Sequence, residues 1–233
     1  TQLDAMEELR ADGIHGLILS PYNAPEIRQK IDAFWDDGIP CVTVNTDIPN
    51  SRRIAYVGSD YYKCGQVAAG LLCLMTNGET KVGIITGSHN VLCHEERISG
   101  FSDYITAHHA PVHTVDIAVN GDDDYRSYGA VSSLLAAHPD IGALYFTAAG
   151  VYGGGRAILD AELPRMPVII TFDAVPTTKK MLQKGVITAT ICQHPKEQGV
   201  RSLSLLVDYL LTGELPEQTL WHMNLDIKIR ESL

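Results

Sequence analysis

The chain has 233 residues, 45% hydrophobic and 20% charged, a composition that suits one large globular core or two small ones. Its formal net charge of −10 excludes a broad basic face for gripping nucleic acid, because neutralising phosphates takes clustered Lys and Arg. No run approaches the roughly 20 apolar residues that span a bilayer, and no signal peptide is expected ahead of Thr1.

Residues 2–12 place Leu3, Met6 and Leu9 on one helical face and stop before Gly13. IHGLIL (14–19) is a short apolar strand. Asn23 is placed to cap the next helix, with Pro25 in its first turn and Glu26 three residues on. That helix buries Ile27, Ile31, Phe34 and Trp35 and ends at Gly38. CVTV (41–44) and IAYV (54–57) are strands, and a helix from Tyr61 to Met75 buries Cys64, Ala68, Leu71, Leu72 and Met75 before Asn77-Gly78.

KVGIIT (81–86) is a strand, and Ile98, Phe101 and Ile105 mark the helix after it. VHTVDIAV (112–119) is a strand, followed by the helical stripe Tyr128, Val131, Leu134 and Leu135. GALYFT (142–147), a helix near 151–161, PVIITF (167–172), a helix near 176–184 and ITATIC (187–192) continue the alternation. A last long helix carries Val200, Leu203, Val207 and Leu210 up to Gly213. Strands that are apolar throughout are buried on both faces, so the pattern predicts an α/β protein with parallel sheets wrapped by helices. About eight strands suit one large sheet or two smaller ones, and the pattern does not choose between them.

Several segments, taken in order, resemble the sugar-binding periplasmic proteins and the related effector domains of LacI-type regulators. They are GIHGLILSPYNAPEI, GIPCVTVNTDIP, YVGSDYYKCGQVAAGLL, KVGIITG, ERISGF, LLAAHPDIGALYF, VIITFDAVP and ITATICQHPKEQG. The resemblance implies a type I periplasmic-binding-protein-like fold: two doubly wound lobes joined by a three-segment hinge, with the ligand between them. The crossings would fall at Val57-Gly58-Ser59-Asp60, at Cys192-Gln193-His194 and near Met223-Asn224. Residues 1–58 plus 194–222 would then form the N-terminal lobe, and 59–193 plus 223–233 the C-terminal lobe. Family members begin with a strand, a helix and a second strand ahead of the helix that opens this chain, so the first βαβ elements of lobe one are expected to be missing.

In open α/β sheets ligands sit beyond the carboxyl ends of the strands. Those ends read Ser20, Asn45-Thr46-Asp47, Ser59, the loop after Thr86, Thr147, Asp173 and Gln193. A polyol needs such a ring of donors and acceptors, since each hydroxyl does both. The resemblance makes Arg97 of R-x-x-G-F the ligand-binding arginine, whose planar fork can clasp two ring oxygens. It makes Asp173 an acceptor for two hydroxyls and Gln193 a link between ligand and hinge. Spacing alone would leave Arg97 as a surface partner of Glu95 or Glu96, Asp173 as a helix cap and Gln193 as a hinge amide. One of Asn45 and Asp47 is expected to bind, and Ser20, Ser59 and Thr147 complete the set. Two departures from the family stand out. Thr147-Ala148-Ala149-Gly150 replaces an Asn-Asp pair, and Asp122-Asp123-Asp124 replaces an aromatic platform for which Tyr22, Tyr125 or Tyr152 could substitute.

Cys93-His94-Glu95-Glu96 with His89 matches no zinc-site spacing, His108-His109-His113 reads as a solvated helix end, and Gly153-Gly154-Gly155 lacks the GxGxxG of a phosphate loop. No motif places a Ser-His-Asp or Cys-His set, so no enzyme, metal or cofactor is expected. Five cysteines without CxxC spacing read as small buried hydrophobes in a reducing, cytoplasmic setting. With GVYGGGRAILDAELPRMPVIITFDAVPTTKKML and the closing LDIKIRESL, they favour the sugar- or polyol-binding effector core of a LacI-type transcription regulator. That reading carries DNA through a separate N-terminal domain, no membrane and a homodimer. The alternative is the extracytoplasmic solute-binding protein of an ABC sugar transporter; an enzyme on a similar scaffold is the third.

Overall fold

The computed structural model describes residues 1–88 and 91–233. The first half of the chain runs α1 (Gln2–Ala11), β1 (Leu17–Leu19), α2 (Pro25–Asp36), β2 (Cys41–Asn45), β3 (Ala55–Gly58), α3 (Tyr61–Met75), β4 (Thr80–Thr86) and α4 (Leu92–Ala107). The rest runs β5 (Val112–Val119), α5 (Asp124–Ala137), β6 (Ala143–Phe146), α6 (Val151–Asp160), β7 (Val168–Phe172), α7 (Pro176–Gln183), β8 (Ala189–Cys192), α8 (Pro195–Thr212), β9 (Leu220–His222) and β10 (Asp226–Lys228). A single 3-10 turn follows at Arg230–Ser232. The chain divides into two compact units, Thr1–Asp60 with His194–Asn224, and Tyr61–Gln193 with Leu225–Leu233.

The first unit holds a parallel sheet in the order β1-β2-β3-β9. One face packs Met6, Ile27, Ile31 and Phe34 against Leu17 and Cys41; the other packs Val42, Ala55 and Val57 against Leu205 and Leu206. Asn23 does not cap α2. The N-cap is Ala24, with no side-chain bond, and Pro25 has already removed one of the N–H groups a cap would satisfy. The expected core stripe of α8 is also displaced. Val200, Leu203, Val207 and Leu210 are exposed, while Gln198, Ser202, Leu205 and Leu206 are buried. The helix has apolar residues on two faces, and periodicity alone does not say which one meets the sheet.

The second unit holds a six-stranded sheet in the order β10-β8-β7-β6-β4-β5, parallel except for β10, which runs antiparallel to β8. Its strands are buried on both faces, as their unbroken apolar runs require. Tyr145 faces Phe101 on one side, with ring centroids 4.9 Å apart, while Leu144 and Phe146 join Val131, Leu134 and Ile158 on the other. The edge strands β5 and β10 are the exceptions, with Ile117 and Val119 exposed on one and Ile227 on the other. The architecture is therefore α/β, with two doubly wound sheets.

Glycines set the closest helix contacts. A Cβ on Gly100 would lie 1.9 Å from the Tyr62 carbonyl oxygen, so α3 and α4 meet backbone to backbone. The Gly153-Gly154-Gly155 run lies within α6, where a Cβ on Gly153 would sit 1.7 Å from the Asp124 carbonyl oxygen. That run serves packing against α5.

Candidate functional site

The carboxyl end of the second sheet gathers a connected polar set. Arg97, on α4, is only 5% exposed. Its Nη1 donates to the Thr147 carbonyl at 2.5 Å and its Nη2 to Gln193 Oε1 at 2.9 Å. Gln193 Nε2 in turn donates to Asp173 Oδ2 at 2.9 Å. The guanidinium carbon lies 3.8 Å from the centroid of the Phe172 ring and 4.9 Å from that of Tyr61, within cation–π range. Arg97 Nε has no hydrogen-bond partner among the described residues. A buried guanidinium donor left open costs stability, which is the mark of a group held ready for another molecule.

Local structure explains the placement. Arg97 lies one turn before Gly100, so the tight α3–α4 contact holds its helix close to the sheet. Asp173 leaves β7 in the left-handed region at φ 62, a conformation that Asp tolerates better than most residues, and its N–H donates to the Ile191 carbonyl at 2.9 Å. Burial pushes its carboxyl above the usual range, opposed by the Arg97 charge and the Gln193 hydrogen bond. Thr147 offers its carbonyl rather than its side chain, whose hydroxyl lies 2.9 Å from Thr86 Oγ1 inside the sheet.

Two further groups stand beside this set: His94, weighed from the sequence only as part of a metal-site pattern, and Asn120, which the sequence reading did not name. His94 is buried, its Nδ1 accepts the Ser88 N–H at 3.3 Å, and its Nε2 is 3.8 Å from Asp122 Oδ1. Burial pulls its pKa below the usual imidazole value, against the pull of Asp122. Asn120, fully buried, donates to the Ala149 carbonyl at 2.7 Å. His94 lies one turn before Arg97 on α4, a spacing that could have drawn attention to it. Tyr22 and Tyr125 are exposed, at 58% and 89%, and the rings over Arg97 are those of Tyr61 and Phe172. No group of three His, Cys, Asp or Glu among the described residues could hold a metal; His89 lies outside them.

The first unit carries its own strand-end residues. Asn45 ends β2 at φ 63, and the Tyr56 hydroxyl lies 2.9 Å from its carbonyl oxygen and 3.0 Å from that of Ser59. Ser59 Oγ is buried without a partner among the described residues. Ser20 Oγ is 3.1 Å from Thr46 Oγ1. Asp47 is engaged elsewhere: Arg53 Nε and Nη2 reach its two oxygens at 2.5 Å each, and Thr43 Oγ1 donates to it at 2.8 Å.

The chain matches the family described as periplasmic binding protein domain over residues 1–215. It is 22% identical over 213 residues to the ribose import binding protein RbsB of Escherichia coli, covering 91% of this chain and 71% of that protein. It is 23% identical over 224 residues to the D-allose-binding periplasmic protein of the same organism, covering 92% and 72%. Among solved structures, GanP, a glucose-galactose binding protein from Geobacillus stearothermophilus, is 29% identical with a TM-score of 0.91, over 99% of this chain and 82% of that one.

These relatives overturn the LacI-type regulator reading, and with it the transcriptional role, the effector function, the DNA partner, the attached DNA-binding domain and the homodimer. The segments that suggested a regulator form α6, β7, α7 and β10, whose side chains answer to the packing of the second unit. They say nothing about what the protein is attached to. The cytoplasmic expectation is corrected too, since a relative of this chain is periplasmic by name. Cys41, Cys64, Cys93 and Cys192 are buried, and burial shelters a thiol in any compartment. Matched along nearly its whole length, with both doubly wound sheets in place, the chain belongs to the periplasmic binding protein domain family.

Proposed function

We propose that the chain is the extracytoplasmic sugar-binding component of an ABC-type importer, and that it holds its ligand at the carboxyl end of the second unit's sheet without transforming it. The observation that carries this reading is the linked set of Arg97, Gln193 and Asp173, which supplies donors and acceptors in fixed positions beside the Phe172 ring. A sugar hydroxyl donates and accepts at once, so a wall that already alternates both suits it. Each hydroxyl left unpaired on binding costs roughly 1–3 kcal/mol, which gives such a wall its selectivity. The sugars named for RbsB, the allose-binding protein and GanP support the ligand class. Within the first unit, Arg53 and Thr43 already occupy the Asp47 carboxylate, so Asp47 is set aside and Asn45 is kept as a polar strand-end candidate of that unit. Ser20 and Ser59 are the remaining candidates there.

Isothermal titration with D-ribose, D-allose, D-glucose and D-galactose tests the reading. At least one should bind, and recovery of the sugar unchanged after prolonged incubation should show binding without turnover. Arg97→Ala should weaken binding about 100-fold or more, given that a hydrogen bond to a charged group contributes about 1.5–3 kcal/mol and Arg97 has several donors to give. Unaltered affinity in both Arg97→Ala and Asp173→Ala would refute the site.

A further inference from the structure

One aspartate beside this site is held where two loops meet. Asn120 accepts the Asp122 N–H at Oδ1 (2.9 Å) while its Nδ2 donates to the Ala149 carbonyl (2.7 Å), which ties the loop after β5 to the loop after β6. Asp122 is held at φ 60, and its Oδ1 accepts the Ala149 N–H at 3.0 Å. Its Oδ2 leans over Gly87: a Cβ there would lie 2.2 Å from that oxygen and 2.6 Å from His94 Cε1, so the glycine leaves the room that carboxylate and ring both use. Because His94 Nδ1 accepts the Ser88 N–H, the neutral ring carries its proton on Nε2, toward the carboxylate. Asp122 itself stays 42% exposed, open to an incoming group.

The carboxylate also acts on the site's charge. His94 and Arg97 lie one turn apart on α4 and are both buried, and Asp122 Oδ1 lies 3.8 Å from His94 Nε2, so the carboxylate stands against the same helix face that carries the guanidinium. Alone, a buried arginine with an open donor would welcome a carboxylate ligand. Asp173 and Asp122 set two negative charges against that single cation, with His94 neutral. Resting on the sugar-binding reading above, we propose that Asp122 sets the charge selectivity of the site, so that it takes neutral or aminated sugars and rejects sugar acids.

The test compares D-glucose, D-glucosamine and D-glucuronate, and the matching galactose series, in titrations of the full chain. Asp122→Asn is the informative variant, since Asn also tolerates the left-handed conformation and keeps an oxygen for the Ala149 N–H. Asp123→Asn is the control: it removes the same charge one residue away, where Asp123 caps α5 by accepting the Arg126 N–H, a bond Asn also makes. The wild type should bind the parent or amino sugar and disfavour the uronate. Asp122→Asn should raise uronate affinity relative to the parent by about tenfold or more, as expected for one nearby charge at an effective dielectric of about 20, and Asp123→Asn should change the ratio little. A wild type that binds the uronate as well as the parent, or an unchanged ratio in Asp122→Asn, overturns the inference and leaves the sugar-binding reading standing. Failure of every sugar in both panels, at millimolar concentration, overturns both.

Discussion

Replacing Gly100 with alanine sets two opposed effects against each other. Alanine in a helix interior is favoured over glycine by about 0.8–1.0 kcal/mol, so propensity predicts a gain. The structure predicts a loss, because the added Cβ would lie 1.9 Å from the Tyr62 carbonyl oxygen and 3.1 Å from Tyr62 Cα. Ordinary contact begins near 3.4 Å, so α4 must move off α3 by more than an ångström, and the neighbour is backbone that cannot rotate aside. Overpacking of this kind costs typically 1–3 kcal/mol, and the upper end applies where the clash is with backbone. The net expectation is destabilisation by about 1–2 kcal/mol, or a Tm lower by several degrees for a chain of this size. Gly129 is the internal control: it lies on the exposed side of α5 with nothing within 4 Å of a Cβ, so Gly129→Ala should stabilise by about 0.5–1 kcal/mol. Urea unfolding followed by circular dichroism, with both variants alongside the wild type, reads the difference. Because Arg97 lies one turn from Gly100, the same substitution should also weaken sugar binding. A Gly100→Ala chain as stable as Gly129→Ala would refute the close α3–α4 contact.

Asp173 yields a prediction with a definite sign. Its folded pKa is raised by burial, so the native chain holds that proton to higher pH than the unfolded chain, and stability falls as pH rises from the ordinary carboxylate range through the folded value. Asp173→Asn should therefore gain stability at pH 7 and nothing near pH 3; parallel pH profiles for variant and wild type would contradict this. The cysteines offer another check. Burial pushes the Cys41 thiol up to about 12 and raises those of Cys93 and Cys192, while Cys73 is half-buried. A thiol reagent at pH 8 should find at most one slowly reacting group in the folded protein and five after denaturation, and rapid loss of several from the folded chain would contradict the burial.

Chain order and apolar runs made the elements legible. α3 and β5 have the bounds their sequence patterns predicted, α3 because its apolar residues recur at helical spacing and β5 because its β-branched residues are bounded by Pro111 and Asn120-Gly121. The short β9 and β10 were not legible, since both are largely exposed and neither lies in an apolar run like the one that marked β1 at the same length. The α8 face was misread because apolar residues lie on two sides of that helix, and Leu205 and Leu206 were chosen by the sheet they cover.

Strand-end position could nominate Asp173 and Gln193, whereas Arg97, inside α4, was nominated only by the family resemblance of its R-x-x-G-F motif. Their mutual hydrogen bonds depend on side chains far apart in the chain, and so does the commitment of Asp47 to Arg53. His94 and Asp122 were invisible as a pair because Asn120 and Gly87 bring their loops together, and neither is adjacent to them in an informative pattern. The amino-acid sequence by itself determined the alternation of helix and strand, and with it a wrapped parallel α/β fold, because hydrophobic periodicity is local. The number of sheets, the docked face of α8 and the charges that meet at the strand ends were decided only by the tertiary structure, because they arise from contacts between segments that no local pattern encodes.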